Sequence, residues 1–491
     1  MLIIAYPPDP TFLARAPFTY QPEPQLRELD RLLDDPRLVM RVSLDLMKSA
    51  PRAAETGRPA MPVEVTLRQA VVRRLQGWSY REMESEFRGS LKWRWFCRVY
   101  DHPVPDHSTL QAREVLIQAT TLHELTDLTV KLGKEVGVTQ GTKLRSDSSV
   151  VETHIHYPTD SRLLADGVRV LGRTLARARE IVDGRYLRWH QEIFRNSQRQ
   201  ARRLSRRIGQ LAGQRSRKKA KNKAKSEAKM KRLYGDLLRV VKQTDEHARG
   251  VVRPLLIKVG SVRALALAET LNHFGALLQR VVSQTERRVL EGQSVPASEK
   301  IVSLFEAHTA IIQRGKAASQ AIEYGRKVWY SEVDGGLVNQ YRIQVGNPPD
   351  HQDQWVESLK HHRKQFGHPP KIATGDRGVY SLENERQAYK AGVAQVALPK
   401  PGQKTPEREE YEAQPWFKAA MRFRAGIEGR IGVLRGPRGL RRCLNRGENG
   451  MERWVGWGII TNNLTVTAMA LSRRHRKKKP ATSGQEFPDR N

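Results

Sequence analysis

Apolar positions recur at helical spacing from about residue 36 to residue 135. Within this stretch "VTLRQAVVRRLQGWSYREMESEFRGSLKWRWFCRVYD" predicts a helix, a break at Gly77, a second helix, a break at Gly89 and an aromatic segment. Ser79 and Glu82 have the spacing of a capping box, and Ser108 is expected to cap a further helix. Short helices joined by tight glycine turns suggest a helix-turn-helix module. Ahead of them, residues 1–35 are proline-rich and are expected to be irregular.

The period changes at "KLRSDSSVVETHIHY", where alternation and β-branching near Val150 and Val151 predict a strand, with His154 and His156 on one side of its extension. Helical spacing returns from about 160 to 300. After about 325 strands and helices alternate. "RKVWYSEV" and "GLVNQYRIQVG" predict a hairpin across "DGG", and "KIATG" and "AQVALP" predict further strands. The segments "QWVESLKHHRKQF", "LENERQAYKAG" and "WFKAAMRFRAGIEGRIGVLRG" predict helices. The expected organisation is an irregular start over 1–35, a helical module over 36–138 and an α/β core over 139–470. A helical insertion over 173–320 interrupts the core, and a basic disordered tail covers 471–491.

Charge narrows the class of partner. The chain of 491 residues carries 86 Lys and Arg against 52 Asp and Glu, a formal charge of +34. Such an excess favours a polyanion, nucleic acid first. No apolar run is long enough to span a bilayer, and the opening "MLIIAYPPDPTF" lacks the form of a secretory signal. Two cysteines, Cys97 and Cys443, exclude a disulfide framework. The expectation is a reduced compartment, the cytoplasm or nucleoid, with no membrane partner and no small-molecule cofactor. Residues 195–232 hold a single acid, Glu227, among many Lys and Arg; Arg215, Arg217, Lys218 and Lys219 are candidate phosphate contacts.

Three acids stand where chemistry could use them. Asp147 lies in the first strand, Asp376 at the end of a later strand and Glu428 in the long final-core helix. Two Asp on adjacent strands with a Glu on a packing helix can hold two divalent ions, and carboxylate oxygens suit magnesium or manganese. Such a pair, about 4 Å apart, can activate an attacking oxygen and stabilise a leaving one. Arg424 and Arg435 fall on the helix face of Glu428 and could clamp phosphate. Asp160, Asp166 and Glu306 are rival acids on pattern alone. The tryptophans Trp454 and Trp457 are expected in the core, and Trp189 is a candidate for holding an unstacked base.

The order Asp147, Asp376, Glu428 resembles the DDE transposases of bacterial insertion sequences. The stretches "SDSSVVETHIHYPTDSRLLADGVRVLGR", "EYGRKVWYSEVDGG", "ATGDRGVYS" and "FRAGIEGRIGVLRGPRGLRRCLNRGENGMERWVGWGIITNNL" look like that group, and are most similar to its ISNCY type within the IS-four and IS-five superfamily. The module "GWSYREMESEFRGSLKWRWFCRV…PDHSTL" is similar to the helical module that precedes such cores. The superfamily's glutamate signature runs Tyr, two residues, Arg, three residues, Glu, six residues, Lys. Arg424 and Glu428 keep it, while Met421 replaces the Tyr and Arg435 the Lys. The resemblance implies an RNase H-like mixed sheet flanked by helices, with Asp147, Asp376 and Glu428 as catalytic metal ligands for two magnesium or manganese ions. It also implies double-stranded DNA as partner, both terminal inverted repeats and target, with protomers pairing as a homodimer. A resolvase-like nuclease of the same fold and a non-catalytic nucleic-acid-coating protein are the alternatives.

Overall fold

The computed structural model describes residues 2–7, 9, 11–12, 21–49, 61–217, 223–258, 260–313, 322–350 and 352–478; at 185, 189, 215–217, 223 and 477–478 it describes backbone alone. The side chains of Trp189, Arg215 and Arg217, and residues Lys218 and Lys219 altogether, therefore lie outside what is described. The chain divides into two compact units, Met1–Glu152 with Arg326–Asn491, and Thr153–Gly325.

The first unit opens with helices α1 (Pro24–Leu33), α2 (Pro36–Ser49), α3 (Val63–Gln76), α4 (Tyr80–Gly89), α5 (Leu91–Phe96), α6 (His107–Val115) and α7 (Ala119–Glu135). The stretch expected to be irregular to residue 35 contains α1, because Pro24 stands at a first-turn position where proline costs no hydrogen bond. Gly77, at φ 73°, ends α3, and the Ser79–Glu82 capping box starts α4. The cap of α6 is Asp106 and not Ser108. The Asp106 carboxylate accepts from the backbone N–H groups of Ser108 and Thr109, at 2.8 and 3.0 Å. Arg68 is fully buried in α3 and is held by Asp30 at 2.7 Å and Glu64 at 2.8 Å.

Strand β1 (Lys143–Thr153) follows. It stops short of His154 and His156; the latter turns to Asp166 at 2.8 Å, so the two histidines do not share a strand face. The second unit holds α8 (Asp160–Ala178), α9 (Gly184–Trp189), α10 (Gln198–Arg217), α11 (Lys223–Leu256), α12 (Val262–Thr285) and β2 (Ala310–Gln313). Its core is apolar residues at helical spacing, such as Leu164, Val168 and Leu171 of α8 against Leu204 and Ile208 of α10. The rival acids serve this unit's structure: Asp160 pairs with Arg288, Asp166 with Arg169, and Glu306 with His308.

Strand β3 (Ile322–Val333) crosses the boundary and forms the expected hairpin with β4 (Leu337–Ile343), with Gly335 and Gly336 both at φ 82°. Then come α13 (Gln354–Phe366), β5 (Ile372–Thr374), α14 (Leu382–Lys390), β6 (Gln395–Ala397), α15 (Pro406–Ala413), α16 (Pro415–Arg435), β7 (Arg442–Cys443) and α17 (Gly447–Lys478). The segment expected as a tail from 471 is helical to Lys478. Among the described residues seven strands form one mixed sheet, ordered β2-β3-β1-β5-β6, with β4 on β3 and β7 on β1. Strand β3 shows how the sheet is filled. Trp329 and Val333 pack with Trp355 of α13, while Val328 and Tyr330 pack with Leu434 of α16 and Val455 of α17. Both faces of the strand are covered, so residues 325–333 are buried in succession, with Arg326, Lys327, Ser331 and Glu332 among them. Trp454 and Trp457 are buried, as expected, and Asn463 of α17 bonds both backbone groups of Val338 at 2.9 and 2.8 Å.

Candidate active site

Strands β1 and β5 are parallel, with Lys143 beside Ile372 and Arg145 beside Thr374. The ladder ends there, and two residues further along each chain stand Asp147 and Asp376, near enough for the Asp376 charge to act on Asp147. Asp147 feels the consequence: its carboxyl is pushed up to about 6, first by burial and then by the Asp376 charge. Arg424 and the Ser148 N–H, the latter at 2.7 Å, pull the other way. Asp376 accepts from the N–H of Val379 at 3.1 Å, in the turn that leads to α14.

Helix α16 brings the third acid and the arginine. One guanidinium serves both carboxylates: Arg424 donates to Asp147 at 3.0 Å and to Glu428, one turn on, at 3.1 Å. The Glu428 side chain is 70% exposed, so the structure gathers Asp147, Asp376 and Arg424 and attaches Glu428 only through Arg424. Arg435 ends the helix, where its carbonyl accepts from the N–H of Arg441 at 3.1 Å. An open cavity of about 810 Å³ runs beside Asp376, lined by Arg377, Lys418, Met421, Arg422 and Arg424 among others. Met421, at the signature's Tyr position, has no hydroxyl to offer; its sulfur accepts from Thr374 at 3.8 Å.

The helix is fixed to the sheet by a buried clamp that sequence reasoning missed. Glu332 of β3, with no exposed side-chain surface, pairs with Arg145 of β1 at 2.8 Å and with Arg430 of α16 at 3.1 Å. Arg145 also donates to the Phe423 carbonyl and crosses α16 at Gly426, where a Cβ would lie 2.3 Å from its guanidinium nitrogen. That close approach accounts for a glycine inside the helix. A second missed residue is Asp350, which pairs with Lys327 at 2.8 Å, accepts from Ser148 at 3.1 Å and adds to the negative field on Asp147. Its setting, "GNPPDHQD", reads as a polar turn with no period, so no pattern signalled it.

The donor set fits a hard divalent cation in part. Asp147 and Asp376 offer carboxylate oxygens, and burial followed by the Asp376 charge opposes ionisation of Asp147, which a cation would relieve. Among the described residues, no three His, Cys, Asp or Glu side chains are grouped to hold a metal ion, and the Glu428 carboxylate is bonded to Arg424.

Residues 18–113, which span α1 to α5 and most of α6, match the family model described as Transposase domain (DUF772). The match covers the N-terminal helices alone and supports a transposase family. No curated protein and no solved structure matches it. None of the described helices is long and apolar enough to cross a membrane.

Proposed function

We propose that the protein is a DDE transposase of an insertion sequence, of the ISNCY type, built on an RNase H-like core. It would bind the terminal inverted repeats of its element as duplex DNA, cleave a strand at each end and join the freed 3′-hydroxyl to target DNA. Two protomers would pair the two ends. The observation that supports this reading is a buried Asp147 carboxylate held by Arg424, with the charge of Asp376 acting on it. The transposase-domain match over 18–113 supports it from a separate part of the chain.

Asp147 and Asp376 would hold magnesium or manganese, with Glu428 as the third carboxylate. Two such ions, when bound, supply Lewis-acid activation of attacking and leaving oxygens. Lys418, Arg422 and Arg377 present cations along the cavity beside Asp376, suited to the strand being cut. Arg424 would take the scissile phosphate, which frees Glu428. Helices α3 and α4, joined by the three-residue turn Gly77–Ser79, would read duplex DNA as a helix-turn-helix.

The test is strand cleavage on an end fragment in magnesium. Asp147→Asn, Asp376→Asn and Glu428→Gln should each abolish nicking and leave end binding largely intact. Nicking at near wild-type rate by any of the three would remove that residue from the site.

A further inference from the structure

The first unit holds another cavity, of about 920 Å³, between the α3–α4 turn and the segment Gly436–Arg446 that links α16 to α17. Arginines dominate its wall, and one acid, Glu82, faces it. Glu82 is already engaged by the N–H of Ser79 at 2.7 Å. Two of the arginines have acid partners: Arg73 is gripped by Glu114 at 2.7 Å, and Arg442 by Glu152 at 2.7 Å. Arg74, Arg438, Arg441, Arg446 and Arg453 form no ion pair with a described residue within 4 Å.

Three of these five are not surface side chains at rest in water. Arg74 and Arg438 are only 4% and 8% exposed, and Arg453 is half-buried. In all three the Nε atom is buried with no hydrogen-bond partner. Arg74 lies flat on Trp454, its guanidinium carbon 3.6 Å from the ring centroid, and donates to the Trp454 carbonyl. Burial, with the Arg73 charge added, brings Arg74 down to about 9, and burial also lowers Arg438 and Arg453. The charge of buried Glu114 reaches Arg74 and Arg453 but is already paired with Arg73, and buried cations in excess of their anions are costly. The forked guanidinium donors match phosphate oxygens, and Gly436 and Gly439 keep one wall free of side chains. Trp78 and Tyr80 add aromatic wall at the mouth.

We infer that this cavity binds backbone phosphates of the DNA on which the protein is proposed to act, an assignment that rests on the transposase reading. The placement gives the contact a second consequence. Its floor is the segment that leaves α16, the helix of Arg424 and Glu428, so a phosphate held here would fix the far end of the catalytic helix. The turn before α4 would be fixed by the same contact.

The experiment is fluorescence anisotropy of the full chain with a short labelled duplex of arbitrary sequence, across a salt series. The variants are Arg438→Gln and the double variant Arg441→Gln/Arg446→Gln. The latter changes two exposed side chains and keeps the test open if the buried substitution lowers the melting temperature. Each is expected to weaken binding roughly ten- to hundredfold, the range for charged hydrogen bonds. Each should also reduce the slope of log affinity on log salt by about 0.9 for every phosphate no longer neutralised. If the wild-type chain binds duplex and the double variant binds it equally with the same slope, the inference fails while the transposase reading stands. If the wild-type chain binds no duplex at all, both fail. Calorimetry with adenosine monophosphate separates the sources of phosphate: variants that lose the mononucleotide but keep duplex affinity would make the cavity a nucleotide site and overturn the assignment to DNA.

Discussion

Replacing Asp147 with Asn is expected to stabilise the protein while it destroys the proposed activity. The carboxyl titrates near 6 in the folded chain against 3.8 in the unfolded one, so ionising it in the native state is unfavourable. One pKa unit corresponds to about 1.4 kcal/mol, which gives a penalty of about 3 kcal/mol at pH 8. The side chain retains 14% exposure and a contact with Arg424 that Asn would weaken, so a gain of about 2 kcal/mol is the working figure. The sign follows from proton counting. Between 3.8 and about 6 the native state binds more protons than the unfolded one, so stability falls as pH rises through that window and stays lowered above it. The assay is urea unfolding of wild type and Asp147→Asn in metal-free buffer at pH 8 and again near pH 4. The variant should be more stable at pH 8, the difference should shrink toward pH 4, and magnesium at pH 8 should stabilise the wild type alone. An Asn variant that is no more stable at pH 8, or whose advantage is the same at both pH values, would refute the idea that Asp376 and burial oppose this charge.

Glu332→Gln leaves Arg145 and Arg430 facing an uncharged amide in a buried site and should cost about 3–5 kcal/mol in urea unfolding. Gly426→Ala should destabilise by about 1–3 kcal/mol through its overlap with Arg145, although alanine is the better helix former by about 1 kcal/mol. Arg424→Ala should lower single-turnover nicking more than end binding, whereas Arg435→Ala should weaken binding of the cleaved end by roughly 1–3 kcal/mol in a gel shift. On α10, Arg199, Arg202, Arg203, Arg206 and Arg207 share the exposed face opposite Leu204 and Ile208; changing them to Gln should flatten the salt dependence of duplex affinity, and an unchanged slope would mean the face is merely solvated.

Local chemistry carried the sequence reading wherever one segment decides its own shape. The glycine stop at Gly77, the Ser79–Glu82 box, the Asp-Gly-Gly hairpin and α13 all depend on residues within a few positions of each other. Errors arose where two local solutions compete. A proline-rich start hid α1 because Pro24 and Pro36 sit at helix starts, and Asp106 displaced Ser108 because a carboxylate accepts from several donors at once. Alternation carried the expected strand past Thr153 to His154 and His156, but only the fold places Asp166 to draw His156 away. The Glu332 clamp and the Lys327–Asp350 pair were illegible for another reason. Their partners are separated by 187 and 98 positions for Glu332, and no periodicity reports a contact of that range.

The arginine of the glutamate signature shows the same division within a single side chain. Its bond to Glu428 follows from helical spacing, one turn apart on α16. Its bond to Asp147 depends on long-range packing of α16 against β1, to which the Glu332 clamp contributes. Held by both acids, Arg424 sets positive charge against the buried Asp147 carboxylate while Glu428 stays mostly exposed. On the proposed chemistry the same guanidinium is wanted by the scissile phosphate, a stronger bidentate acceptor than an exposed carboxylate. Moving it there would remove the compensation of Asp147 at the moment Glu428 is released, and the site would then require cations for three carboxylates instead of one guanidinium for two.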